Sequence, residues 1–195
     1  MRPEPTVRPE ESEAEEVARV VRAAFGADSE AHGAEVANLW AEVVDEGHVR
    51  ASLVAEVDGV VVGHVGLSHA WLDARRELVD VWMLSPLSVD PDFQQRGIGS
   101  ALVAEAITAA GAARAPLLFL EGSPDFYGRR GFSRGSRQDI EAATTRLPEA
   151  AFQVVLLGAH EGWMAGRVVL HDVWWRHDST GLRDPRLAAL EERFA

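Results

Sequence analysis

Val89-Asp90-Pro91-Asp92-Phe93-Gln94-Gln95-Arg96-Gly97-Ile98-Gly99-Ser100 joins a β-rich run to an alanine-rich helical pattern. Its composition is that of an anion-binding turn. Gly97 and Gly99 let the backbone turn tightly and approach a ligand. The residues that follow open a helix, whose first N–H groups lack intrahelical acceptors and carry partial positive charge. A pyrophosphate can accept from several such amides at once. Ser100 adds a hydroxyl donor and Arg96 a formal charge. Two familiar nucleotide loops do not fit. Leu102 stands where a dinucleotide fingerprint needs its third glycine, and a P-loop needs lysine, which the chain lacks altogether. A glycine turn with no ligand is the alternative that Gly-x-Gly alone leaves open.

Working outward, Leu78 to Val89 is a β-rich run interrupted by Pro86, which suggests a bulge or a place where the strand leaves its neighbour. Before it, Val49–Val57 and Val60–Leu67 flank Asp58-Gly59, a strong hairpin signal. Thr6-Val7-Arg8 reads as a short first strand. Ser12 with Glu15 reads as a capping box for a helix with Val17, Val20, Val21, Ala24 and Phe25 inward, ended by Gly26. A second helix is predicted over Glu30–Val44, with Val36, Leu39, Trp40 and Val43 inward. After the loop, Gly97–Ala113 is a helix with Leu102, Val103, Ala106 and Ile107 on one face. Leu117–Leu120 is a short buried strand, and Phe126–Arg130 a short helix ended by Gly131. Ser133–Pro148 is a polar link, Phe152–Leu157 and Arg167–Trp174 are closing strands, and Pro185–Phe194 is a terminal helix. The order predicts one α/β domain over residues 1–195 with a mixed sheet, its core about 6–175 and a helical extension about 185–195.

The loop resembles the coenzyme A loop of the GNAT superfamily of N-acetyltransferases, Gln/Arg-x-x-Gly-x-Gly/Ala preceded by Val-x-Pro. Gln94, Gly97 and Gly99 fill the first pattern, Val89 and Pro91 the second. Glu121-Gly122-Ser123-Pro124-Asp125-Phe126-Tyr127-Gly128-Arg129-Arg130-Gly131-Phe132 is similar to the family's strand-to-helix unit ending in Phe-Tyr-x-x-x-Gly-Phe. The resemblance implies an α/β (α+β) GNAT-like acyl-CoA N-acyltransferase fold: a mixed, mostly antiparallel sheet flanked by helices, with strands splayed at the cofactor slot. It implies acetyl-CoA as co-substrate, with Leu87, Ser88 and Val89 pairing with the pantetheine arm and Gln94, Gln95, Arg96, Gly97, Ile98, Gly99 and Ser100 around the pyrophosphate. Arg129 and Arg130 can reach phosphates or form a solvated face.

Tyr127 is the chain's single tyrosine. It follows the loop by one helix and one strand, as the family pattern requires. Taken alone it reads as a core aromatic. The resemblance gives it the role of protonating the leaving thiolate, which is chemically reasonable for a phenol of pKa ~10 facing a thiol of ~8.5. The resemblance also implies direct attack by an amine, with a backbone amide of Leu84–Val89 stabilising the oxyanion. Glu121, Asp80, Glu56 and His69 are candidate bases by type and location, and none is assigned. Trp71 and Trp82 can line an acceptor pocket, as can Trp163, Trp174 and Trp175, with core packing the default for all.

Composition bounds the rest. The 195 residues are 47% hydrophobic and 26% charged, the balance of a soluble globular chain. With no cysteine, an acyl-cysteine route and a Cys-based zinc site are excluded. The histidines show no metal-ligand spacing beyond His171-Asp172 and His177-Asp178, so no metal is assigned. A net charge of −12 argues against nucleic acid as partner. The N-terminal stretch has no apolar segment of signal-peptide type, and no run approaches the ~20 residues of a membrane helix. A cytoplasmic protein with no membrane partner is expected. The acceptor is a small-molecule or peptide amine, and a homodimer is common in the family. A non-catalytic acyl-CoA sensor and an unrelated nucleotide-binding module are the other function classes left open.

Overall fold

The computed structural model describes residues 5–27 and 29–194, without the Phe194 side chain. The described strands order as β1-β2-β3-β4-β5-β8-β6, with β9 pairing β3 and β7. These are β1 (Thr6–Pro9), β2 (Val49–Val57), β3 (Val60–Ala74), β4 (Leu78–Val89), β5 (Leu117–Glu121), β6 (Ser133–Arg134), β7 (Ile140–Glu141), β8 (Phe152–Leu156) and β9 (Gly166–Val169). The sheet is mixed and mostly antiparallel, as the resemblance implies. The chain divides into two compact units, residues 1–68 with 84–109, and 69–83 with 110–195, so β3 and β4 each contribute to both.

In the first unit, β2 and β3 form the expected hairpin. Asp58 (φ 52°) and Gly59 (φ 78°) are both left-handed, the combination that matches strand twist. Helices α1 (Ala14–Phe25) and α2 (Glu30–Asp45) precede it, and α3 (Ile98–Ala112) follows the loop. Two glycines of β3 set how closely the helices approach. A Cβ at Gly66 would lie 2.4 Å from the Trp40 ring of α2, and one at Gly63 would lie 3.0 Å from Ile98 and Leu102 of α3. The glycines are three residues apart and so face opposite ways. The sheet here is therefore covered by α2 on one side and α3 on the other. Along α2, Ala37 is buried and Val36 only half-buried.

The expected Ser12–Glu15 capping box does not form. Helix α1 starts at Ala14 after Glu13, which gives the helix no side-chain cap. Glu13 instead accepts from the Glu11 and Ser12 amides at 2.8 and 3.0 Å. Its carboxylate is also held by Arg8, which ties Glu13 and Glu56 together at 2.5 Å each. A charged partner outcompetes the neutral capping arrangement.

In the second unit, the far half of β3 pairs β9, and β5 pairs β8 along its whole length. Strand β3 runs seven residues past the expected Leu67, because Trp71 to Ala74 find partners in Val169 to Gly166. The expected strand Arg167–Trp174 is shorter: it ends at Val169, and Asp172–Arg176 is a helix, α5, that buries Val173 and Trp174. The polar link after Phe132 holds β6 and β7. Helices α4 (Pro124–Tyr127) and α6 (Arg186–Phe194) complete this unit.

Candidate active site

Strand β4 carries the chain into the loop. Its parallel pairing with β5 covers only Trp82↔Leu118 and Met83↔Phe119. Past that point lie Leu87, Ser88 and Val89, with Ser88 buried to 1% exposure. The Ser88 hydroxyl is an orphan: it has no hydrogen-bond partner among the described residues. A buried hydroxyl without a partner is costly and suits a strand edge that receives a polar ligand.

At the end of β4 the Asp90 amide donates to Val62 O at 2.9 Å, and the Asp90 carboxylate accepts from Asp92 N at 3.1 Å. Arg19 of α1 reaches that carboxylate at 3.1 Å and Val61 O at 2.6 Å. This anchor was not legible in the sequence, where Arg19 is one arginine among many on a helix. The Gln94 side chain donates to Val89 O at 3.2 Å and closes the turn. Gln95 (φ 58°) and Gly97 (φ 83°) are left-handed on either side of Arg96. Alternating signs of φ aim successive N–H groups into one concavity, an anion nest, and the nest opens onto the first turn of α3. A Cβ at Gly97 would meet nothing within 4 Å, so the space over the nest is open. Gln94 to Gly97 are exposed, Gly99 and Ser100 half-buried, and Ile98 is buried as the helix's first core residue. Arg96 folds back, its guanidinium 2.6 Å from Asp92 O and 4.8 Å from the Phe93 ring. The first unit thus gathers every residue expected around a pyrophosphate.

Tyr127 belongs to the second unit. Its ring packs edge-on against Phe126 and Phe132, with centroids 4.9 and 5.8 Å away. Its other neighbour is Gly122, where a Cβ would lie 2.5 Å from Tyr127 Cε2. Gly122 is pinned from both sides: its amide donates to Ala151 O at 2.9 Å, and its carbonyl accepts from Gln153 at 3.2 Å. Gly131 (φ 92°) closes the turn after Tyr127 in the left-handed conformation. Burial pushes the phenol up to about 12, with Arg130 opposing weakly. Arg130 stacks 3.5 Å over the Phe126 ring and donates to Phe126 O, whereas Arg129 is exposed.

The candidate bases have separate fates. Glu56 is engaged by Arg8 at 2.5 Å. His69 lies 2.6 Å from His171 and 3.5 Å from Asp80. Among the described residues no three His, Cys, Asp or Glu side chains could hold a metal. Glu121 is half-buried at the end of β5, and its carboxyl is raised by desolvation against the Gly181 amide and Arg146. Trp82 and Trp174 are core residues at 8% and 2% exposure, Trp71 and Trp163 are half-buried, and Trp175 is exposed.

Residues 48–134 match the family model for the acetyltransferase (GNAT) domain. The fold superposes on the Escherichia coli GNAT family N-acetyltransferase YhbS, solved in complex with CoA. The TM-score is 0.78 and the identity 26%, over 90% of this chain and 94% of that one. Residues 48–134 carry a GNAT acetyltransferase domain, and the fold is that of GNAT N-acetyltransferases. A GNAT acetyltransferase of Brucella melitensis, solved with acetyl-CoA, matches 88% of the chain and 98% of its own, with a TM-score of 0.69 and 26% identity. The uncharacterized N-acetyltransferase YjhQ of Escherichia coli strain K12 is 28% identical over 142 residues, 72% of this chain and 75% of that protein. The nest sits between the end of β4 and the start of α3. No helix among the described residues is long and apolar enough to cross a membrane.

Proposed function

We propose that this GNAT enzyme transfers the acetyl group of acetyl-CoA directly to a primary amine. The observation that carries the reading is the nest at Gln95–Gly97 opening onto α3, where backbone N–H groups can take the pyrophosphate. The complexes of YhbS with CoA and of the Brucella enzyme with acetyl-CoA support it.

In this reading Leu87, Ser88 and Val89 bind the pantetheine arm in the manner of an added strand, and Ser88 Oγ finds the partner it otherwise lacks. Gln94 and Arg96 hold the loop's shape, while Gln95, Gly97, Ile98, Gly99 and Ser100 surround the pyrophosphate. An amide of Leu84–Val89 stabilises the oxyanion as the amine attacks the thioester carbonyl. Tyr127 donates its phenolic proton to the departing thiolate. A phenol is protonated at neutral pH at its ordinary value of ~10, burial raises it further, and it is thus in the state a general acid needs. The chain has no cysteine, so no acyl-cysteine can intervene.

The test is calorimetric titration of acetyl-CoA into the wild type and Gly97→Trp, with thermal melting to verify folding. Saturable binding lost in the variant is expected. A wild type that binds no acetyl-CoA overturns the reading.

A further inference from the structure

The first unit buries a histidine that the acetyl-transfer reading leaves unused. His64 lies within β3 and is 0% exposed, its ring tilted against Trp40 of α2 with centroids 5.1 Å apart. Burial pushes the imidazole down to about 3, so the ring is neutral, with a proton on one nitrogen and a lone pair on the other. Its neighbours decide which is which. His64 Nε2 is 2.9 Å from Ser52 Oγ of β2, and the Ser52 hydroxyl donates its single proton to the Glu10 carboxylate. Ser52 therefore accepts from His64. Nε2 carries the proton, and Nδ1 is a buried acceptor with no partner among the described residues.

A donor stands opposite that lone pair. Strand β4 returns antiparallel beside β3 after a link at residues 75–77. The Asp90 amide donates to Val62 O at 2.9 Å, which sets Val62 against Asp90 and, two steps along, His64 against Ser88. Residues directly opposite share a face, with Cβ atoms about 5 Å apart. Ser88 Oγ is thus a buried hydroxyl without a partner, across from a buried lone pair without one. A turn of the serine about χ1 joins them. Ser68, another unpartnered hydroxyl of this unit, is four residues along β3 from His64, about 13 Å away. A hydroxyl has one proton and two lone pairs. With its proton on His64, Ser88 meets a ligand as an acceptor only.

We propose that His64 is a positioning residue for the cofactor: held through Ser52 to Glu10, its Nδ1 takes the Ser88 hydroxyl proton and turns the Ser88 oxygen toward an amide N–H of the pantetheine arm. This rests on the acetyltransferase reading above, in which Ser88 touches that arm. The chain Glu10–Ser52–His64–Ser88 runs from the end of β1 across β2 and β3 to β4. Ser88 donates to His64, His64 to Ser52 and Ser52 to Glu10, so the direction of every hydrogen bond is fixed by the carboxylate at its end. No proton is transferred. The chain sets the polarity of one hydroxyl at the strand edge.

The experiment measures the affinity of acetyl-CoA for the wild type, Ser88→Ala, His64→Phe and the double variant, with thermal melting to verify folding. The control ligand is 3′-phosphoadenosine 5′-diphosphate, the half of coenzyme A that lacks the pantetheine arm. Each single variant should bind acetyl-CoA about tenfold more weakly. The double variant should also lose about tenfold, not a hundredfold, because the two residues act as one unit. The control ligand should bind all four proteins alike, whereas a merely structural role for His64 would weaken both ligands together. In the wild type, the nitrogen-15 resonance of His64 Nδ1, identified by its absence from His64→Phe, should move when acetyl-CoA is added and stay in place in Ser88→Ala. Additive losses, wild-type affinity in His64→Phe, or a resonance that acetyl-CoA does not move overturns the proposal and leaves the acetyltransferase reading standing. A wild type that binds no acetyl-CoA overturns both.

Discussion

In the proposed reading, the loop at Asp90–Ser100 and the strand end at Glu121–Tyr127 meet two recognition problems with opposite materials. The loop is largely exposed, and its recognising groups are backbone amides whose direction is set by φ at Gln95 and Gly97. The strand end uses side chains, and burial raises both the Glu121 carboxyl and the Tyr127 phenol. A doubly charged pyrophosphate needs many donors and can stay hydrated at its edges, so an open nest suffices. Proton transfer needs groups whose protonation is fixed by their surroundings, and only a drier, packed site provides that. The two regions should therefore break differently, the loop through backbone geometry and the strand end through packing.

The largest effect is expected at the loop. Gly97→Trp forces a side chain onto φ 83° and into the open space over the nest. It should remove acetyl-CoA binding, and the left-handed backbone strain of about 1–3 kcal/mol should lower the melting temperature by several degrees without unfolding the protein, because that glycine touches no core atom. If the variant binds acetyl-CoA as the wild type does, the nest is not the pyrophosphate site.

Next comes Tyr127→Phe, which should lower kcat roughly 100-fold, in the range of general acid catalysis, and leave the KM for acetyl-CoA near the wild-type value. Thiol release is a clean readout in a protein without cysteine. The same residue predicts a titration. It is the single tyrosine, so phenolate absorbance reports one group, with a midpoint near 12 in the folded protein and about 10 when unfolded. A group neutral when folded and raised above its unfolded value contributes stability below pH ~10 that is lost as pH rises toward 12. A native midpoint at 10 would contradict the buried placement.

What could be read from the chain divides along the same line. The loop was legible because backbone recognition leaves a local signature, glycines at fixed offsets between a strand and a helix. The Asp58-Gly59 hairpin was legible for the same reason. The role proposed for Tyr127 rests on a similarly local pattern. The capping box was local too, and it failed because Arg8, a residue outside the pattern, recruits Glu13. Strand β3 was read seven residues short and β9 five residues long, since their ends depend on pairing between segments about a hundred residues apart. Glu121 was one of four candidate bases. Glu56, another of them, is held by Arg8, a partner 48 residues away that no local pattern reveals.

A smaller change sharpens the packing half of the comparison. Gly122→Ala places a methyl group 2.5 Å from Tyr127 Cε2, 3.0 Å from Cδ2 and 3.4 Å from Leu120. Overpacking of this kind costs about 1–3 kcal/mol, measured by chemical denaturation. As the ring is pushed outward, the phenol midpoint should fall toward 10. Unchanged stability together with an unchanged midpoint would mean that the ring and Gly122 are not in contact. Acetyl-CoA affinity should move little, because the nest is built from the other unit.

The smallest effect is expected at Arg19, and its size decides how far the loop depends on its support. Arg19→Ala removes the contact to Asp90 at 3.1 Å and the one to Val61 O at 2.6 Å. The Arg19 side chain is 49% exposed, so solvent screening limits the loss of stability to less than ~1 kcal/mol. The loop keeps Asp90 N on Val62 O and Gln94 on Val89 O, which should preserve the nest. Acetyl-CoA affinity should then weaken by only about two- to fivefold, consistent with loss of one partly exposed charge contact. A loss as large as that of Gly97→Trp would show that α1 holds the nest in shape. Its geometry would then depend on a side-chain anchor outside the loop, and the contrast between a backbone-built and a side-chain-built region would no longer hold.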